Sequence, residues 1–171
     1  MKALPVVLGL GLLASVSVAN ASNNRVHWDD IVGVITAQQV DNPVSDNIHS
    51  GTFAWSTSGG QANVDFATGV VSFDVEGLVI NGTQFSGTPG PITEVTGTLV
   101  CSPGDAAQEM TFDTPAVPLD AKGNAKFAGP VTIPAVCPNP LFLVRIATPA
   151  GAAGKWIATG AVRKIGMGVQ Q

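Results

Sequence analysis

The chain of 171 residues has no tyrosine, two histidines, two cysteines and only eight lysines and arginines. Each scarcity excludes something. Eight cations, nowhere gathered in a stripe, are too few to neutralise a run of phosphates, so nucleic acid is not expected as a partner. Two distant histidines and two cysteines without CxxC spacing match no usual zinc or redox arrangement. There is no G-x-S-x-G nucleophile elbow and no phosphate-binding loop. No metal and no cofactor is therefore expected. Beyond the N-terminus no stretch approaches the roughly 20 apolar residues that a spanning helix needs, so no membrane span is expected in the remainder.

What is abundant is equally informative. Hydrophobic residues make up 45% of the chain, which excludes an acidic disordered tail despite the formal net charge of −4. Twenty glycines and twelve prolines point to many turns between short strands.

Residues 1–21 read as a secretory signal peptide and residues 22–171 as one domain. Lys2 supplies a minimal positive start, Val6 to Ala14 a short apolar core, and Ala19-Asn20-Ala21 a small-x-small cleavage site. Ser22 would be the new N-terminus, and the absence of a cysteine there argues against a lipid anchor. Cleavage removes Lys2 and leaves seven basic against twelve acidic side chains. Export would place Cys101 and Cys137 in an oxidising compartment, where two cysteines are expected to pair. Closing a loop of that length stabilises a fold by about 3–4 kcal/mol in the chain-entropy model.

Alternating apolar and polar residues dominate the chain. Ala62, Val64 and Phe66 alternate with Asn63 and Asp65, and Val71, Phe73 and Val75 alternate with Ser72, Asp74 and Glu76. Period two predicts two half-buried strands, and Ala67-Thr68-Gly69 predicts the hairpin turn between them. Over 94–101, Val95, Gly97, Leu99 and Cys101 share one face, with Thr96 and Thr98 on the other. Further strands are predicted at 109–113, 125–128, 131–133, 141–147 and 156–162. The β-branched run Ile31–Thr36 and the segment 51–57 are read the same way, whereas 81–91 reads as a loop and 164–171 as a frayed tail. About nine short strands with turn signals between them predict an all-β domain, an antiparallel β-sandwich of jelly-roll or immunoglobulin-like type with one disulfide.

Several segments together carry a resemblance. They are Glu76-Gly77-Leu78-Val79, Gly97-Thr98-Leu99-Val100-Cys101, Pro118-Leu119-Asp120-Ala121-Lys122-Gly123-Asn124-Ala125, Ile133-Pro134-Ala135-Val136-Cys137 and Trp156-Ile157-Ala158-Thr159-Gly160. In these the chain resembles a group of small secreted microbial proteins with no assigned activity. The resemblance spans roughly 75 to 162. It implies export and a Cys101–Cys137 bridge, and it implies no catalytic residue.

Side chains that could carry chemistry are few. His27 stands beside Asp29 and Asp30, and His49 three residues after Asp46. Neither has a recognisable nucleophile context, so a loop or surface role is expected for both and no catalytic residue is assigned. Asp74 and Glu76 share the polar face of one strand about 7 Å apart, a spacing also seen in glycosidase pairs. A solvated outer face is the simpler reading. Asp65 is expected across the hairpin from them, and three gathered acids could hold Ca²⁺ weakly. Arg145 lies among Leu143, Val144 and Ile146, and a charge there must reach solvent or find a partner such as Asp74 or Glu76. Asp65, Asp74, Glu76 and Arg145 thus form the candidate polar cluster. Trp28, Trp55 and Trp156 would stack on sugars only if exposed together, and tryptophans on strands more often fill cores. Asn81-Gly82-Thr83 matches a glycan acceptor. The expectation is a secreted, non-catalytic binding or structural protein; the alternatives are a small secreted hydrolase using carboxylates or His49, and a lectin-like module.

Overall fold

The computed structural model describes residues 24–165, so the proposed signal peptide over 1–21 lies outside the described residues. The described chain has no helix. Its strands are β1 (Arg25–Gly33), β2 (Ala54–Ser56), β3 (Gly59–Asp65), β4 (Val70–Glu76), β5 (Val79–Asn81), β6 (Glu94–Cys101), β7 (Met110–Asp113), β8 (Val117–Pro118), β9 (Ala125–Pro130), β10 (Leu141–Ala147) and β11 (Ala153–Ile165). Nine of them make one antiparallel sheet in the order β7-β6-β10-β11-β1-β3-β4-β9, with β8 also paired to β6, and β2 with β5 forms a separate pair.

The all-β, antiparallel, disulfide-bonded fold agrees with the sequence reading. Its packed layers are two arms of one curled sheet. Phe73 on β4 and Phe142 on β10 are four strand spacings apart in the sheet. A flat sheet would separate them by about 19 Å, yet their ring centroids lie 5.7 Å apart. The sheet therefore closes on itself as a half-barrel, bringing β8 against β9. Trp28 packs on the same ring of Phe142, also at 5.7 Å.

Gly97 makes this approach possible. A Cβ there would lie 2.7 Å from the Phe73 ring and 2.8 Å from that of Phe142. The predicted inward face of β6 is thus correct: Val95, Leu99 and Cys101 are buried beside it. The hairpin turn also forms as expected. Gly69 adopts φ 70° and donates to the Asp65 carbonyl, and the Asp65 carboxylate accepts from the amides of Ala67 and Thr68. The disulfide joins Cys101 at the end of β6 to Cys137, with Cα atoms 5.0 Å apart.

Other expectations differ from the structure. Thr96, Thr98 and Val100 are as buried as their inward neighbours. The reason is a strap, residues 40–50. At one end the Trp156 indole donates to the Asn42 carbonyl at 3.0 Å, and Gly51 donates to the Trp156 carbonyl. At the other the Ser45 hydroxyl donates to Glu109, just before β7. Since β10 and β6 lie between β11 and β7, the strap crosses them and covers their outer face. The first strand begins at Arg25 rather than Ile31, because β1 is zipped between β11 and β3 from its first residue. Lys164 belongs to that pairing, opposite His27, and is not part of a frayed tail. Residues 131–133 form no strand, since Pro130, which cannot donate to a ladder, ends β9. Two strands escaped the sequence reading, β5 and β8, at three and two residues too short to show a period.

Candidate functional site

The four residues of the predicted polar cluster do not form one site. Asp65 stands at the turn, opposite Val70, and takes the Arg25 guanidinium at 2.7 Å. Arg25 is the first cause holding the Asp65 carboxyl below its ordinary value. Gln61, not Asp65, faces Asp74 across the hairpin, which puts Asp65 about 13 Å further along the strand. Asp74 and Glu76 do share the outer face of β4, where Lys126 of β9 lies 3.9 Å from Asp74. Arg145 pairs with neither acid. Its Nε donates to the Gly154 carbonyl at 2.6 Å and its Nη2 to that of Ala153 at 3.0 Å. Burial pulls its pKa below the ordinary value, opposed by the charge of Asp113. Arg145 thus pins the start of β11. Among the described residues no three acidic, histidine or cysteine side chains gather as a cation site, which removes the calcium reading of the three acids.

The histidines are both engaged. On the outer face of β1, His27 Nδ1 meets the Asn63 side chain at 2.5 Å and its Nε2 meets Asp29 at 2.9 Å. Lys164 completes the group 2.6 Å from Asp29 and lowers that carboxyl's pKa more than any other neighbour. His49 closes the strap. Its Nδ1 meets Asp41 at 2.5 Å and its Nε2 meets the Asp46 carbonyl at 2.9 Å. The other Asp41 oxygen accepts from the Ser50 amide at 3.0 Å. With an acceptor at each nitrogen, the doubly protonated ring is favoured, and the His49 pKa is raised, first by Asp41 and then by the Asp46 carbonyl. A ring held in this way has no free nitrogen with which to take a proton from a nucleophile. Ser50 is fully buried and its hydroxyl turns to Asp41 and the Gly51 carbonyl, so His49 and Ser50 do not form the pair that acyl transfer needs.

One opening is lined almost entirely by apolar side chains. The β2–β5 pair caps one end of the half-barrel, and Trp55 and Ile80 turn inward from it. Between this cap, the loop after β5 and the ends of β10 and β11 lies a cleft of about 160 Å³, lined by Phe53, Trp55, Ile80, Phe85, Ile92 and Ile146, with Lys155 as its one charged residue. Phe85 is 39% exposed, yet its backbone is fixed from both sides. Its amide donates to the Thr83 hydroxyl at 3.0 Å, and its carbonyl accepts from the Thr88 hydroxyl at 2.8 Å. Ile80 and Thr88 are joined by a backbone hydrogen bond that closes this loop on β5. No family model, curated protein or solved structure matches the chain.

The segments that carry the resemblance serve packing. The Gly77 amide donates to the Asn124 side chain and the Leu78 amide to the Gly123 carbonyl, so the 76–79 and 118–125 segments interlock. Asp120 organises that turn by accepting from the amides of Lys122 and Asn124. Gly160 lies against Trp28, where a Cβ would come within 2.6 Å of the indole. The three indoles are buried, at 1%, 3% and 6% exposure for Trp28, Trp55 and Trp156, so they make no sugar-stacking platform. The cleft was missed because its lining comes from separate stretches: Phe53 and Trp55 from the strand read over 51–57, Phe85 from the loop read over 81–91, and Ile146 from the strand read over 141–147. One signal was available: a lone aromatic, Phe85, among Asn, Gly, Thr and Ser, where nothing nearby in sequence explains it.

Proposed function

We propose that the chain is exported and acts outside the cytosol as a non-catalytic binding protein, with the cleft beneath Phe85 as its contact site. The observation that carries this reading is an apolar cleft whose most exposed ring, that of Phe85, stands on a backbone tied down by Thr83 and Thr88. A loop ordered before a partner arrives gives up little backbone entropy on binding. Export is supported by the Cys101–Cys137 bridge, a bond that persists in oxidising compartments. Among the described residues no helix is long and apolar enough to cross a membrane. The resemblance to small secreted microbial proteins points the same way, since its shared segments serve packing here.

The test is a fragment screen by NMR on the disulfide-bonded chain, beside hydrolase and glycan panels. Fragments are expected to shift resonances of Phe53, Trp55 and Phe85, with the two panels silent. Reproducible hydrolysis, or fragments that consistently avoid these rings, would overturn the proposal.

A further inference from the structure

Resting on that reading of the cleft, we infer that its ligand is a small monoanionic amphiphile, a single aromatic ring carrying a carboxylate on a short tether. The size sets the apolar part. A cavity of about 150 Å³ with aliphatic and aromatic walls admits a body the size of benzene, and this cleft measures about 160 Å³. Phe53, Trp55 and Phe85 contribute three aromatic walls, which favour a ring through offset and edge-to-face contacts.

The charge sets the rest. Lys155 is exposed, lines the cleft and has no ion pair among the described residues, whereas Arg25, Lys126 and Lys164 each have a carboxylate partner. Its charge is felt at Asp41, and both oxygens of Asp41 are already taken, one by His49 and one by the Ser50 amide. Arg145 fixes the two residues before Lys155 through their carbonyls, so the backbone that carries Lys155 is held at the rim of the cleft. An apolar hole with one uncommitted cation at its edge complements an apolar body with one negative end.

Three near-isosteric probes decide this: 3-phenylpropionate, 3-phenylpropanol and 3-phenylpropylamine, titrated into the disulfide-bonded chain by NMR. The acid is expected to bind up to about fivefold tighter than the alcohol, the upper end of what pairing with an exposed ammonium contributes, and the amine weakest. Lys155→Gln is expected to bring the acid to the level of the alcohol, and Lys155→Glu to reverse the order of acid and amine. Lys155 is on the surface, and an unchanged amide spectrum away from the cleft confirms that each variant is folded. If acid, alcohol and amine bind equally, the anionic ligand is wrong while the apolar cleft stands as a binding site. If none binds, the reading of the cleft itself falls with it.

Discussion

Two aromatic clusters of the domain use the same residue types to opposite effect. Around Gly97, the rings of Phe73, Phe142 and Trp28 meet with no room for one added carbon. Beneath Phe85, the rings of Phe53 and Trp55 border a cleft that no described residue fills. The difference lies in what delivers the rings. The first set comes from strands whose registers are locked by pairing on both sides, so packing there is the closure of the fold. The second comes from a three-residue strand and the loops beside it, whose hydrogen bonds are local. Apolar surface delivered by a closed sheet holds the fold; apolar surface delivered by a pinned loop remains open to a partner.

Truncation separates the two regions most strongly. Phe142 is fully buried, so Phe142→Ala is expected to destabilise the domain by about 3–5 kcal/mol, read from denaturant unfolding. Phe85→Ala is expected to cost under about 1 kcal/mol, in line with a partly exposed side chain, while abolishing ligand shifts at Phe53 and Trp55. Equal destabilisation by the two would erase the distinction. Next in size is the disulfide. Replacing Cys101 and Cys137 together with serine is expected to cost about 2–5 kcal/mol, and the probe affinities of the folded fraction should not change, because Cys137 sits beside Val100 and outside the cleft. Gly97→Ala follows, at about 1–3 kcal/mol of overpacking. A neutral outcome in the melting curve would mean that the two rings can move apart and that closure is looser than their 5.7 Å separation implies.

How much of this was legible in the sequence follows the same division. Wherever a strand has one wet face, the period shows it: 61–66, 71–76 and the inward face of 94–101 were all read correctly. The bridge between Cys101 and Cys137 was legible because the signal-peptide reading of residues 1–21 implies an oxidising compartment, where two cysteines are expected to pair. What could not be read comes from partners without a sequence signature. Arg145 is satisfied by main-chain carbonyls of Ala153 and Gly154, which any residue could supply, so the sequence suggested acids in their place. The outward face of β6 looked wet because Thr96 and Thr98 are polar; a non-periodic strap covers it. Asp65 looked close to Asp74 because alternation fixes the face of a residue but not its distance along the hairpin. The cleft depends on three-dimensional closure around Phe85, which no local pattern encodes.

The smallest expected effect concerns the strap, and it separates a chemical clasp from mere packing. The His49 pKa is raised above its ordinary value of 6.5 and that of Asp41 lowered from 3.8, each chiefly by the other. For the histidine, a raised folded value means that its contribution is complete below 6.5 and is lost as pH climbs through the folded pKa. For the aspartate, a lowered folded value means that its contribution is complete above 3.8 and is lost as pH falls through its folded pKa. The clasp is therefore strongest between those two ordinary values and loosens on the alkaline side first. Strap amides such as Val44 and Ile48, which are bonded to each other's turn, are expected to lose protection above the His49 titration once intrinsic exchange is normalised. Amides of β4 should show no such step. In Asp41→Asn the His49 titration, followed by its ring proton resonances, should fall back toward 6.5 and the step in strap exchange should shrink. A His49 that titrates at or below its ordinary value in the unmodified chain would leave the strap held by the Trp156 and Glu109 contacts alone, and its opening would then be independent of pH across the neutral range.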